Sequence, residues 1–225
     1  TCGIPEFLHD VIASKLTEVM TYPLKGGDRL SSEAVERAIK FSQKCDAVVI
    51  GPGLSQEPST KAFVRQFVRK CQSPLVIDAD ALNALADDTM ALNEAKGPII
   101  ITPHPGEMAR IFSTTPKDIQ ENRIKYVKQA AKDFSCIAVL KGASTLIAVG
   151  EELFINPTGN PGMATGGSGD VLSGIIGALI ARGYTPKEAA VVGTYLHGLA
   201  GDLAAKKFGK ISMIAGDIID FIPEA

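Results

Sequence analysis

The sequence contains no CxxC pair. Cys2, Cys45, Cys71 and Cys136 stand far apart, and no histidine is spaced to join them in a metal site. That excludes a zinc ribbon or a disulfide framework, so the four thiols are read as reduced and mostly buried. Absent too is any run of the roughly eighteen apolar residues that a membrane span needs, and no charged-then-apolar leader opens the chain. Positive charge is not in excess: the formal net charge is -2, and Lys and Arg are scattered rather than striped, which argues against nucleic acid as a partner. Repeats, low-complexity tracts and linkers are missing as well. With 225 residues, 45% of them hydrophobic, the chain is read as one large α/β domain over 1–225. It is expected to be soluble and cytoplasmic, with small-molecule ligands.

What the chain does have is glycine concentrated in one place. From Asn156 to Gly183 it reads NPTGNPGMATGGSGDVLSGIIGALIARG, with Gly159, Gly162, Gly166, Gly167 and Gly169 ahead of an apolar segment. Glycines allow successive N–H groups to converge on one point, and the segment from Val171 to the Gly183 stop signal reads as a helix. A helix start offers unpaired N–H donors and the positive end of the macrodipole, so the backbone of Gly166, Gly167, Ser168 and Gly169 is read as an anion hole for phosphate. Asp170 sits at the same point. A carboxylate there would repel phosphate, but it suits a base that takes a proton from a hydroxyl attacking phosphorus. Asp170 could instead be the N-cap of the helix, but the five glycines ahead of it favour the base, and the two roles are compatible.

Along the chain, a helix is expected from Glu6 to about Met20, then a polar connection over Tyr22–Ser32 and an amphipathic helix over Glu33–Lys44. Buried strands are expected at Asp46–Ile50, Pro74–Ile77, Gly97–Thr102 and Cys136–Leu140, and a hairpin at Thr145–Val149 and Leu153–Ile155. Helices are expected at Pro58–Cys71, Thr115 to about Phe134, Thr185 to about Lys207 and Ile214–Ile222. Such alternation means a mostly parallel sheet with helices on both faces. Each informative turn falls just after a strand, where open α/β sheets place ligands. These are Gly51-Pro52-Gly53-Leu54, His104 between two prolines, Lys141-Gly142-Ala143-Ser144-Thr145 and the turn at Gly166; an acidic turn at Asp78 and Asp80 also follows a strand. The acidic turn could help hold magnesium or cap the next helix, and the cap is the preferred reading. His197, amid Gly193, Gly198 and Gly201, is read as a packed helix residue without partners.

GPGL at Gly51–Leu54, DADAL at Asp78–Leu82, TPHPGE at Thr102–Glu107, LKGAST at Leu140–Thr145 and NPTGNPGMATGGSGD at Asn156–Asp170 occur in that order. With them the chain resembles the ADP/ATP-dependent NAD(P)H-hydrate dehydratases of the ribokinase-like superfamily. The resemblance covers essentially the whole chain. It implies repair of hydrated NADH or NADPH: the added hydroxyl is phosphorylated and phosphate is expelled. By the family pattern, Lys141, Gly142, Ala143, Ser144, Thr145 and Gly169 contact the donor nucleotide, while Gly53, His104 and Asp170 contact the hydrate. TPHPGE resembles the ADP-using bacterial branch, so ADP rather than ATP is the expected donor. Mg2+ is expected from phosphoryl transfer, though no residue identifies its ligands. A homo-oligomer is implied. Family members begin with a glycine-rich strand and helix, and this chain opens as though within a strand, so that N-terminal strand and helix are expected to be missing. The family's epimerase domain has no counterpart, and no epimerase activity is expected. Two rival readings remain: a kinase related to hydroxyethylthiazole kinase, which would release a stable phosphorylated product, and a nucleotide-binding protein without catalysis.

Overall fold

Short runs of valine and isoleucine, each flanked by turn residues, build the sheet, and amphipathic or small-residue segments between them build its two covering layers. The computed structural model describes residues 1–225. In chain order the elements are β1 (Cys2–Pro5), α1 (His9–Lys15), β2 (Thr21–Leu24), α2 (Val35–Ser42), β3 (Val48–Ile50), α3 (Pro58–Lys70) and β4 (Leu75–Ile77). Next come α4 (Ala79–Ala86), α5 (Met90–Asn93), β5 (Ile99–Ile101), α6 (Pro105–Ile111), α7 (Pro116–Glu121), α8 (Arg123–Asp133) and β6 (Ile137–Leu140). The chain closes with β7 (Leu146–Val149), β8 (Glu152–Ile155), α9 (Ser168–Ala181), α10 (Pro186–Phe208) and α11 (Ala215–Asp220). No helix is long and apolar enough to cross a membrane.

Six strands form the central sheet in the order β3-β4-β5-β6-β7-β8, parallel as far as β6 and antiparallel through the β6-β7-β8 meander. This is the mostly parallel sheet expected. Period-2 alternation sorts its side chains cleanly. Leu75, Ile77, Ile99, Ile101, Ala138 and Leu140 face the larger core with α2 to α8, whereas Val76, Ile100, Ile137 and Val139 face a smaller core against α9 and α10. Helices therefore cover both faces, and the parallel strands end together at one edge.

Three expectations need correction. Tyr22–Leu24, the start of the expected polar connection, belong instead to β2, which pairs in parallel with β1 as a separate two-stranded sheet, Cys2 opposite Thr21. Four residues containing Pro23 carry little strand signal, and only an edge position tolerates that proline. The helix expected over Glu6–Met20 is confined to His9–Lys15 after a 3-10 turn, and none of its residues is buried. The helix expected from Thr115 to Phe134 is two, broken at Asn122 (φ -128°, ψ 36°), whose side-chain amide bonds the Asp118 carbonyl and carboxylate. That local bond competes with the helical backbone. Of the thiols, Cys71 and Cys136 are buried, Cys45 is half-buried and Cys2 is exposed.

The small residues of α10 are spent on packing within the chain. A Cβ at Gly193 would lie 3.0 Å from Ile176 of α9, one at Gly198 would lie 2.1 Å from Thr158, and one at Gly201 would lie 2.4 Å from Met163. Asn156, Thr158 and Asn160 also bond to the α10 backbone, and Asp202 accepts from Gly159 N and Asn160. The glycine-rich loop is thus held against α10 before it enters α9.

Candidate active site

Helix α9 begins three residues earlier than the sequence suggested. Gly167, in the left-handed region at φ 86°, is its N-cap, so Asp170 lies in the first turn and is not the cap. That rules out the capping role weighed for Asp170. The first turn leaves donors unused: Ser168 N reaches the Thr165 carbonyl at 3.4 Å and Val171 N the Gly167 carbonyl at 3.0 Å, while Gly169 N and Asp170 N have no protein acceptor. Ser168 contributes backbone only, because its hydroxyl lies 3.3 Å from His197 Nε2 inside the protein. Gly169 and Asp170 thus leave two free N–H groups at the positive end of a fourteen-residue helix.

Asp170 stands open to solvent at the mouth. The packing around its carboxylate nonetheless raises its pKa above the ordinary aspartate value, first by desolvation and then by the negative charge of Asp78, with Lys141 opposing. Behind it, Asp78 is wholly buried at the end of β4. Its Oδ1 accepts from Ala79 N at 2.8 Å and from Lys141 Nζ at 2.6 Å, and its Oδ2 accepts from Ser173 Oγ at 2.5 Å. The cap expected of the acidic turn is therefore real, and Asp78 does more besides. Asp80 instead ties the Gly53 loop to α4, accepting from Ser55 N and from the Gln56 amide.

Lys141, at the end of β6, also lies 3.8 Å from the buried carboxylate of Glu107, and its Nζ would be 3.2 Å from a Cβ at Gly169. An ammonium has three N–H donors and only Asp78 lies within hydrogen-bond distance, so two remain for a ligand beside the free N–H groups of α9. His104 is the N-cap of α6: its Nδ1 accepts from Gly106 N at 2.9 Å and Glu107 N at 3.3 Å, and Glu107 reciprocates by accepting from His104 N. An accepting Nδ1 puts the ring proton of the neutral form on Nε2, which lies 3.4 Å from Glu107 Oε1 and is half exposed. The chain His104–Glu107–Lys141–Asp78–Ser173 thus crosses the strand ends in one line of contacts.

The other expected residues divide. Gly53 (φ 69°) has nothing within 4 Å of where a Cβ would be, so its side of the loop is open. Gly142 (φ 137°) packs against Arg123, whose guanidinium donates to the Leu140 and Ser144 carbonyls and fixes the loop. Thr145 Oγ1 closes the loop on the Gly142 carbonyl. Ala143 and Ser144 border a cavity of about 630 Å³ against the α7–α8 break, away from the contacts around Asp170. Sequence reasoning did not single out Glu107, Arg123 or Ser173, and His197 proves to have a partner in Ser168. The proline-flanked capping box was the one available signal for Glu107. No group of three His, Cys, Asp or Glu residues is placed to hold a metal, and the Asp78 oxygens are already occupied. The side chains therefore do not fit a protein-built Mg2+ site.

His197 is buried, and desolvation pushes its pKa down to about 4 from 6.5. The unfolded chain then binds the proton first, so this residue's contribution to stability falls as the pH drops from about 6.5 toward 4. The loss expected between pH 7 and pH 4.5 is about 2 to 3 kcal/mol. Urea unfolding at the two pH values, compared with His197→Gln, checks it: an identical pH dependence in the variant refutes the assignment.

A profile of the NAD(P)H-hydrate dehydratase family matches residues 4–224. The chain belongs to that family. The bifunctional NAD(P)H-hydrate repair enzyme Nnr of Moorella thermoacetica is 46% identical over 226 residues, covering 99% of this chain and 43% of the relative. An ADP-dependent (S)-NAD(P)H-hydrate dehydratase of Neisseria meningitidis is 40% identical over 181 residues, 78% of this chain and 61% of that one. The chain thus spans less than two thirds of the length of these curated relatives. Among solved structures, the ADP/ATP-dependent NAD(P)H-hydrate dehydratase of Bacillus subtilis, co-crystallised with ATP/Mg2+, superimposes with a TM-score of 0.77 at 28% identity, covering 98% of this chain and 75% of that one. The ribokinase-like fold class expected for the dehydratase family holds as well.

Proposed function

We propose that residues 1–225 act as one domain catalysing ADP-dependent dehydration of hydrated NADH or NADPH, yielding the reduced nicotinamide nucleotide, AMP and phosphate. The observation that carries this reading is the meeting of a base with a raised pKa, two free helix N–H groups and a lysine ammonium at the start of α9. Asp170 takes the proton of the ring hydroxyl as its oxygen attacks the terminal phosphorus of the donor. The N–H groups of Gly169 and Asp170, with Lys141, hold the charge on the group in transfer. Phosphate then leaves with the carbon–oxygen bonding pair, and loss of the adjacent ring proton restores the double bond. The Lys141–Thr145 loop is assigned to the nucleotide, and Gly53, His104 and Asp170 to the hydrate. The name of the Neisseria relative supports ADP as donor.

The test supplies hydrated NADH with ADP or ATP and magnesium chloride, following reduced-nicotinamide absorbance and free phosphate together. Both signals should rise with ADP. A signal with ATP alone keeps the reaction and overturns the donor. Phosphate retained on an organic product would establish the kinase reading instead.

A further inference from the structure

We infer that Asp78 is a positioning residue for this reaction: its buried carboxylate holds the Lys141 ammonium and the first turns of α9 in one arrangement, so that ammonium, helix donors and Asp170 address the same phosphate. The inference rests on the reaction proposed above. Nothing in a helix cap requires a carboxylate here, since Ser, Thr or Asn serves equally well as an acceptor for one N–H. A wholly buried carboxylate is costly unless it is paired and hydrogen-bonded. Asp78 is both, and each partner belongs to the site. Lys141 follows β6 and borders Gly169, while Ser173 lies one turn beyond Gly169 and has its hydroxyl between Asp78 Oδ2 (2.5 Å) and the Gly169 carbonyl (3.0 Å). Its single proton goes to the nearer, charged acceptor. Asp78 thereby grips α9 directly beneath the anion hole.

The backbone around Asp78 is arranged to the same end. Ala79, the next residue, is a non-glycine at φ 48° in the left-handed region, a conformation retained only where surrounding contacts enforce it. Three other titratable groups face this cluster from neighbouring elements: Glu107 of α6, 3.8 Å from Lys141; Asp170 of α9; and His197 of α10, which meets Ser168 at the helix start. Removing the charge of Asp78 therefore takes a nearby negative charge away from Asp170 and leaves the field of Lys141 there unopposed, which favours the ionised carboxylate.

The test is Asp78→Asn, which keeps the shape and the acceptor for Ala79 N. Turnover and KM for hydrated NADH are measured with ADP across pH, and the Asp170 carboxyl is titrated by carbon-13 NMR, its signal assigned with Asp170→Asn. Expected are a fall in kcat of about tenfold or more with KM changed less than about threefold, and a shift of the Asp170 midpoint by at least about half a pH unit downward. An unchanged kcat overturns the inference, and so does a lowered kcat with an unmoved midpoint, since a purely structural role would produce only the former. If the variant does not fold, Ser173→Ala severs the link to α9 alone: wild-type turnover in that variant overturns the inference, and reduced turnover with unchanged thermal stability supports it. A wild-type chain that forms neither reduced nicotinamide nor phosphate sinks the proposed reaction, and the carboxyl titration then decides the coupling of Asp78 to Asp170 by itself.

Discussion

Asp170→Asn is expected to lower turnover of hydrated NADH by roughly 10²- to 10⁴-fold, the range a positioned general base supplies, while the fold and the affinity for ADP are kept. The two halves of that expectation have separate grounds. Asp170 is not the cap of α9, a place taken by Gly167, and it makes no side-chain hydrogen bond, so asparagine leaves no buried partner unsatisfied. What is lost structurally is a favourable charge in the first helical turn, about 0.3 to 1 kcal/mol. What is lost chemically is the only carboxylate standing open at the free N–H groups, since Asp78 and Glu107 are buried and engaged. Single-turnover kinetics with both signals, alongside urea unfolding, separate the two. Because desolvation and Asp78 raise the pKa of Asp170, the acidic limb of the wild-type profile is expected above the ordinary aspartate range. A variant that turns over at wild-type rate removes Asp170 from the chemistry.

Gly51→Ala is expected to abolish stable folding, at a cost above about 4 kcal/mol, among the largest that single substitutions produce. A Cβ on Gly51 would lie 1.7 Å from the Asp78 carbonyl oxygen and 2.7 Å from its carbon, both backbone atoms of the neighbouring strand end, and φ is 137°. Relief would require β3 and β4 to part where Val49 and Val76 are paired, and that would carry Asp78 away from Lys141. Two residues on, Gly53→Ala is the control. Its φ of 69° is strained for alanine, at about 1 kcal/mol, but the space is empty, so the protein should fold. Soluble yield and thermal unfolding of the pair decide the matter: a Gly51→Ala protein as stable as Gly53→Ala would show that the turn is not packed as described.

Much of the fold was legible because its signals are local. The valine and isoleucine runs at Val48–Ile50, Leu75–Ile77, Ile99–Ile101 and Ile137–Leu140 are strands within a residue or two of expectation, and Thr185 with Glu188 forms the capping box it spells. Gly183 at φ 94° stops α9 as a left-handed cap, with its N–H on the Ile180 carbonyl. Failures came where the deciding partner is distant or competes with the backbone. β2 exists because β1 lies beside it, and the break at Asn122 arises from a side-chain bond that periodicity does not register.

By itself the sequence determined the class of fold, the glycine loop before an apolar helix, and the turns after strands that bear the candidate site residues, since conformational preference and hydrophobic period act over a few residues. Only the tertiary structure decided which of those turns meet. It joined Asp78 to Lys141 and Ser173 and set Glu107 beside Lys141, and it turned the Ser168 hydroxyl inward to His197. The physical reason is that a buried charge must find its partner wherever the folded chain brings one, and Lys141 lies 63 residues from Asp78 in sequence and 2.6 Å away in space.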